Sequence, residues 1–197
     1  EFATSGYNQP HNMTTSVVWD VPVGRDKRWL GGAGAFADAV LGGWQLAVIS
    51  TLTAGDPVTI TYTPVAQAQV SGITADFRGA NNYRPNIIGD LYGDTDSTTG
   101  YLNRAAVQIP GVSSPFGDAT RNQVRGPKFW QVDLAVQKRF RLPLGDNTRL
   151  EVRAEAFNVL NQTNFRAPNG NASSNAFGTI TGTFDPRQVQ LGVRLSF

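Results

Sequence analysis

Few residues in this chain have the type and spacing that chemistry needs. Asp90, Asp94 and Asp96 fall around Gly93 in N-I-I-G-D-L-Y-G-D-T-D. Carboxylate oxygens at that density are the ligands of a hard cation such as calcium. Their spacing departs from an EF-hand loop, so they are weak metal candidates and a solvated acidic loop is the better reading. Glu151 and Glu155 share a strand parity and suggest paired acids. Arg149 and Arg153 alternate with them and keep them ionised, so an ion ladder explains them better. His11 is the only histidine and cannot build a multi-histidine metal site. Gly32-Ala33-Gly34-x-x-Ala37 resembles a dinucleotide fingerprint only superficially, because no strand leads directly into it and no βαβ unit surrounds it. No Gly-x-Ser-x-Gly, P-loop or cysteine-based motif occurs, and cysteine is absent altogether. Disulfides and thiol chemistry are therefore excluded, although the compartment is not fixed. The expectation is a protein that is not an enzyme and uses no cofactor.

The elements that would position these residues are strands. The last stretch, 187–197, reads R-Q-V-Q-L-G-V-R-L-S-F. Val189, Leu191, Val193, Leu195 and Phe197 share one parity. Gln188, Gln190, Gly192, Arg194 and Ser196 share the other. Successive strand side chains point to opposite faces, so this is a ribbon with one apolar and one polar side. It ends on an aromatic residue, as a strand facing lipid can.

Earlier segments repeat the pattern. A strand is expected over about 11–21, with Met13, Thr15, Val17, Trp19 and Val21 on one face. Pro22 ends it, since proline cannot donate to a ladder. Trp44, Leu46, Val48, Ser50 and Leu52 begin a strand read as 44–63, kinked at Gly55-Asp56-Pro57. Trp130, Val132, Leu134, Val136 and Phe140 define a strand over 128–142. Leu150, Val152, Ala154 and Ala156 define one over 148–160, and 186–197 closes the set. Charges on the polar faces of 128–142 and 148–160 can pair, because opposed residues sit ~5 Å apart. Pro143 to Asn147 reads as a tight turn, and Ala35 to Leu41 as two helical turns stopped by Gly42 and Gly43.

Composition agrees with strands and turns. The 197 residues include 21 glycines and 11 prolines. Charged residues are 16%, below the roughly 25% usual for soluble domains. A formal charge of +2 implies no nucleic-acid partner. No run of about 18 apolar residues exists, so no transmembrane helix is expected, which leaves a barrel open. No signal peptide is visible, and a start at Glu1 rather than Met suggests material removed upstream or a cloning scar.

Two long connections, 64–127 and 161–185, lack periodicity. Loops of such length are functional or disordered in compact soluble domains and normal on the outer rim of membrane barrels. With Phe197 at the periplasmic rim, the turn at 143–147 is periplasmic and both long loops are extracellular. Residues 22–43 are long for a periplasmic turn.

The chain resembles the C-terminal portion of a TonB-dependent outer-membrane receptor of the Oar-like, acidobacterial type. The resemblance rests on H-N-M-T-T-S-V-V-W-D-V-P-V-G (11–24), L-G-G-W-Q-L (41–46) and R-N-Q-V-R-G-P-K-F-W-Q-V-D-L-A-V-Q-K-R-F (121–140). It continues in R-A-E-A-F-N-V-L-N-Q-T-N-F (153–165) and F-G-T-I-T-G-T-F-D-P-R-Q-V-Q-L-G-V-R-L-S-F (177–197). It implies an all-β, antiparallel, up-and-down set of barrel strands with long loops at one rim. It also implies an insertion signal at Leu191, Val193, Leu195 and Phe197, read by the outer-membrane insertion machinery. Interfacial aromatics are then expected at Trp19, Trp44, Trp130 and Phe140, with Phe197 beside them.

Receptors of this kind have about 22 strands, and this chain supplies five or six. The barrel it belongs to is incomplete here, and its edges need partners: the remaining strands, or further copies of the chain. Two functions follow. One is a receptor segment for nutrient uptake, set in outer-membrane lipid. The other is a fragment that self-assembles extracellularly through open edges into a polymer or filament.

Overall fold

The computed structural model describes residues 3–25, 27–32, 34–63, 83–111, 114–142 and 148–197. In chain order the strands are β1 (Asn12–Asp20), β2 (Trp44–Thr53), β3 (Pro57–Val58), β4 (Asn86–Ile87), β5 (Val107–Gln108), β6 (Val124–Arg125), β7 (Phe129–Arg141), β8 (Arg149–Phe157) and β9 (Gln188–Ser196). The helical pieces are α1 (Ala35–Leu41) and a 3-10 turn at Arg104–Ala106. Two compact units interleave along the chain. One comprises Asn12–Leu52, Trp130–Thr163 and Asp185–Phe197; the other comprises Glu1–His11, Thr53–Phe129 and Asn164–Phe184.

The first unit is a five-stranded sheet in the order β1-β2-β7-β8-β9. Long strands neighbour one another in sequence order, the up-and-down arrangement that the resemblance implies. The sheet is open: β1 and β9 are its edges, and every described residue in both is exposed. The β8–β9 register pairs Leu150 with Leu195, Val152 with Val193, Ala154 with Leu191 and Ala156 with Val189. Leu134, Val136 and Phe140 of β7 pair with Ala156, Ala154 and Leu150. Parity thus carries across β7, β8 and β9, which share one face that is apolar except at Lys138. Slipping the register by one residue would send each strand's apolar set to the other face.

Between β1 and β2 the chain forms an ordered rim. The amide of Val21 donates to Trp44 O at 3.0 Å, beyond the end of β1. Helix α1 stops at Gly42, whose N–H donates to Asp38 O at 2.8 Å. Gly43 follows at φ +72°, and a Cβ there would lie 2.8 Å from Arg139 O. The helix and its glycine stop occupy the residues expected for two helical turns closed by Gly42 and Gly43. The turn expected at Pro143–Asn147 lies outside the described residues.

The second unit holds the core. Ile60, Tyr62, Leu102, Val107, Val124, Phe177 and Ile180 are buried there, Ile60 completely. Two short antiparallel pairs, β3–β6 and β4–β5, frame it. This changes two readings. Residues 57–63 do not extend β2: Pro57 and Val58 pair with Arg125 and Val124, and Thr61 runs beside Asn171. The described parts of the long connections are not structureless either. Ala172 N donates to Thr61 O at 2.7 Å, Ile180 N to Thr98 O at 2.7 Å and Leu102 N to Gly178 O at 3.3 Å. Tyrosines add edge contacts: Tyr62 meets Tyr83 with ring centroids 5.8 Å apart, and Tyr92 meets Tyr101 at 6.3 Å. Such side chains bury large areas without any regular spacing in sequence.

Candidate membrane-spanning surface

In the sheet unit the apolar face carries its aliphatic residues uncovered. Leu191 is 80% exposed, and Val189, Val193 and Leu195 are all more than half exposed. Each such side chain gains roughly 1.5–3 kcal/mol on leaving water. No described residue of the sheet unit provides that burial, so an apolar medium or partner must. Among the described residues no helix is long and apolar enough to cross a membrane.

The expected aromatics lie on this face, toward its two ends. Trp44 begins β2 and Phe140 nearly ends β7, while Trp130 sits at the opposite end of β7. Trp19 is half exposed near the end of β1, and Phe197 is almost fully exposed just past β9. From Trp130 to Phe140 is about 34 Å at ~3.4 Å per residue. At the tilt of about 40° usual in membrane barrels, that spans a height of about 26 Å, close to their ~25 Å apolar band. Leu191 and Val193 occupy the centre of β9 between those ends, and Leu195 lies level with Phe140 through Leu150.

The opposite face is a polar ladder. Arg139 and Glu151 are cross-strand partners and form an ion pair of 3.1 Å. Arg153 pairs with Glu155 along β8, and Gln190 of β9 donates to Glu155. Gln45 donates to Asp20 at 2.6 Å and accepts from Gln137. Glu151 and Glu155 are thus occupied by basic and amide partners, as their interleaving with arginine predicted. The ladder suits a water-filled lumen, where polar side chains need neither burial nor lipid.

One residue of the apolar face breaks the pattern. Lys138 pairs with Val152 and is only 4% exposed. Its Nζ donates to Val40 O at 2.9 Å and to Gly42 O at 2.5 Å, the orphan carbonyls at the end of α1. It also lies 4.8 Å from the Trp44 ring centroid and 5.0 Å from that of Phe140. Free helix carbonyls and aromatic faces are where an ammonium is stabilised. Alternation alone flags Lys138 as the one charged residue on the apolar parity of its strand, the signal that sequence reading passed over.

A second missed residue is Asn158, 2% exposed, just after β8. Its φ is +51°, and that of Asn161 is +52°. Its amide Nδ2 donates to Gln162 O at 2.8 Å, and its Oδ1 accepts from Gln162 N at 2.9 Å. Asn161 Oδ1 accepts the amide of Arg187 at 3.1 Å. Asparagine tolerates the left-handed region and bonds to nearby backbone, which is why N-V-L-N-Q closes this turn.

The acidic candidates lie in the other unit. Asp90 Oδ1 accepts from Tyr92 N at 3.0 Å, and Asp94 Oδ1 accepts from Asp96 N at 3.1 Å. Both carboxylates shape their own turns. Among the described residues, no three of His, Cys, Asp and Glu gather to hold an ion. Tyr62 and Tyr101 donate to Pro115 O at 2.5 Å and Arg125 O at 3.1 Å. Burial raises both phenols above the ordinary tyrosine value, and their neighbours Tyr83 and Tyr92 add to it.

A family model described as an outer membrane beta barrel domain matches residues 1–190. Neither the curated proteins nor the solved structures compared with the chain give a match.

Proposed function

Because this chain belongs to the outer membrane β-barrel domain family, a membership that suggests the bacterial outer membrane as its location, we propose that it is a strand set of a TonB-dependent receptor. On this reading it supplies barrel strands and extracellular loops for nutrient uptake. The observation that carries it is a five-stranded sheet, apolar on one face and charged on the other, with both edges unpaired. Lipid covers the first face, and the second faces the lumen. Open edges cannot sit in hydrocarbon, so further strands of the receptor pair with β1 and β9, after delivery by the insertion machinery. The TonB dependence and the Oar-like type are supported by the segments at 11–24, 41–46, 121–140, 153–165 and 177–197. The carboxylates of Glu151 and Glu155 serve the polar ladder, and those of Asp90 and Asp94 serve turns.

Two measurements test this. The native protein should fractionate with the outer membrane and require detergent for extraction; recovery as a water-soluble monomer overturns it. Deleting the gene should abolish energy-dependent uptake of one scarce nutrient, and unchanged uptake of every nutrient tested defeats the transport role.

A second reading is favoured by the full exposure of β1 and β9. Copies of the chain can pair edge to edge, giving a ring or a filament according to the symmetry. Electron microscopy of the purified chain should then show regular polymers, and uniform small particles would rule this out.

A further inference from the structure

The rim between β1 and β2 carries an exposed apolar and cationic surface that the barrel does not need for closure. Trp29, Leu30, Phe36, Val40 and Leu41 are all exposed, Phe36 at 84%. Arg25, Lys27 and Arg28 precede them and are exposed as well. With Asp26 between them, the sequence 25–28 carries a net charge of +2.

The segment is held in place. Gly24 N donates to Trp29 O and Trp29 N to Pro22 O, both at 3.0 Å. Asp38 Oδ1 accepts from Arg25 N at 2.5 Å, tying α1 to the loop before it. Leu30 has φ +60°, a strained choice for a leucine, and it keeps an apolar side chain half exposed.

The side of the sheet on which α1 ends is also fixed. Lys138 and Trp44 both belong to the apolar parity. Lys138 Nζ and Trp44 Nε1 both donate to Val40 O, at 2.9 and 3.0 Å. The C-terminus of α1 is therefore fastened to the lipid-facing side of the sheet, at its end. There a charge costs far less than at mid-membrane, so the lysine is tolerated.

We propose that α1 and the loop 22–30 form an interfacial foot. It lies in the headgroup layer of a phospholipid leaflet, with Phe36, Val40 and Trp29 in the acyl boundary and Arg25, Lys27 and Arg28 on anionic headgroups. Continuity with the lipid-facing sheet and the sign of the charge select lipid over a protein partner. Cationic residues beside exposed aromatics suit the interface of an anionic bilayer. Lys138 is the positioning residue. The proposal rests on the membrane-spanning reading of the sheet.

The chain lacks cysteine, so single nitroxide labels can be placed cleanly. The complete receptor that contains this chain, carrying Phe36→Cys, Val193→Cys or Gln190→Cys in an otherwise cysteine-free background, is reconstituted in phosphatidylethanolamine–phosphatidylglycerol vesicles. Collision rates with oxygen and with a nickel chelate are then compared. The Phe36 label should favour oxygen, at a shallower depth than the Val193 label, and the Gln190 label should favour nickel. In a Lys138→Met background the Phe36 label should shift toward nickel while the Val193 label stays put. Should that variant fail to fold, the triple change Arg25→Gln, Lys27→Gln, Arg28→Gln should make the Phe36 label shallower. A Phe36 label in water with the Val193 label in lipid overturns the foot and leaves the sheet reading intact. Both labels in water overturn both. A Phe36 label shielded from both probes means a protein covers α1, and that too overturns the proposal.

Discussion

Asp133 Oδ1 accepts the backbone N–H of Asn158 at 2.9 Å, so a carboxylate early in β7 fixes the turn that ends β8. Asn158 also donates to Asp185 O at 3.4 Å, just before β9. Three segments of the sheet unit thus converge on one buried amide.

Replacing Asn158 with alanine should be costly. It strands Gln162 N and leaves a Cβ residue without side-chain bonds at φ +51°. Lost buried hydrogen bonds cost about 1–3 kcal/mol and left-handed strain about 1–3 kcal/mol. A fall in melting temperature of roughly 5–15 °C in detergent is expected. Asn158→Gly relieves the strain alone and should fall less. Equal falls for the two would discount the backbone argument.

Face assignment is tested by parity. Val193→Arg places a charge at the centre of the apolar face, opposite Val152. It should lower stability in lipid vesicles by about 2–4 kcal/mol, whereas Gln190→Arg on the other face should change it little. Urea titration of the folded protein in vesicles reads the difference. If the two changes cost the same, the face is not lipid-facing.

Alkaline pH should weaken the loop unit. Burial raises the Tyr62 and Tyr101 hydroxyls above the ordinary value of 10.0. Below that value both states hold the proton and stability is constant. As pH climbs past it, the unfolded phenols ionise first, and this contribution fades until the folded values are passed. Urea midpoints should hold from pH 7 to about 9.5 and then drop. Tyrosinate absorbance should show the late titration. Tyr62→Phe with Tyr101→Phe should flatten the drop, and an unchanged slope would exclude these two residues.

Two glycines of the loop unit should behave oppositely. Gly178 has φ +75°, and a Cβ there would lie 2.3 Å from Leu102 O. Gly100 has nothing within 4 Å of that position. Gly178→Ala should destabilise by at least ~1–3 kcal/mol. Gly100→Ala should be neutral or up to ~1 kcal/mol stabilising, by limiting the unfolded chain. Thermal melts of the two variants give the comparison.

Sequence alone determined what period two can encode. Alternation announced strands over about 11–21, 44–63, 128–142, 148–160 and 186–197, the second read too long, and sorted Leu191 from Gln190, because strand sterics throw neighbouring side chains to opposite faces. Gly42 and Gly43 likewise marked the stop of α1, since that signal is local. Tertiary structure decided the rest. Ile60, Leu102, Val124 and Phe177 make a core from segments spread over more than a hundred residues, with no spacing to betray them. Pro57 and Val58 left β2 because Val124 and Arg125 offered them a ladder. Asn158 looks ordinary in the chain, and Lys138, which alternation flags, acquires its role only from the carbonyls that folding brings to it. Periodicity is a property of backbone geometry and is written residue by residue, whereas a hydrogen bond across distant segments exists only once the chain has closed upon itself.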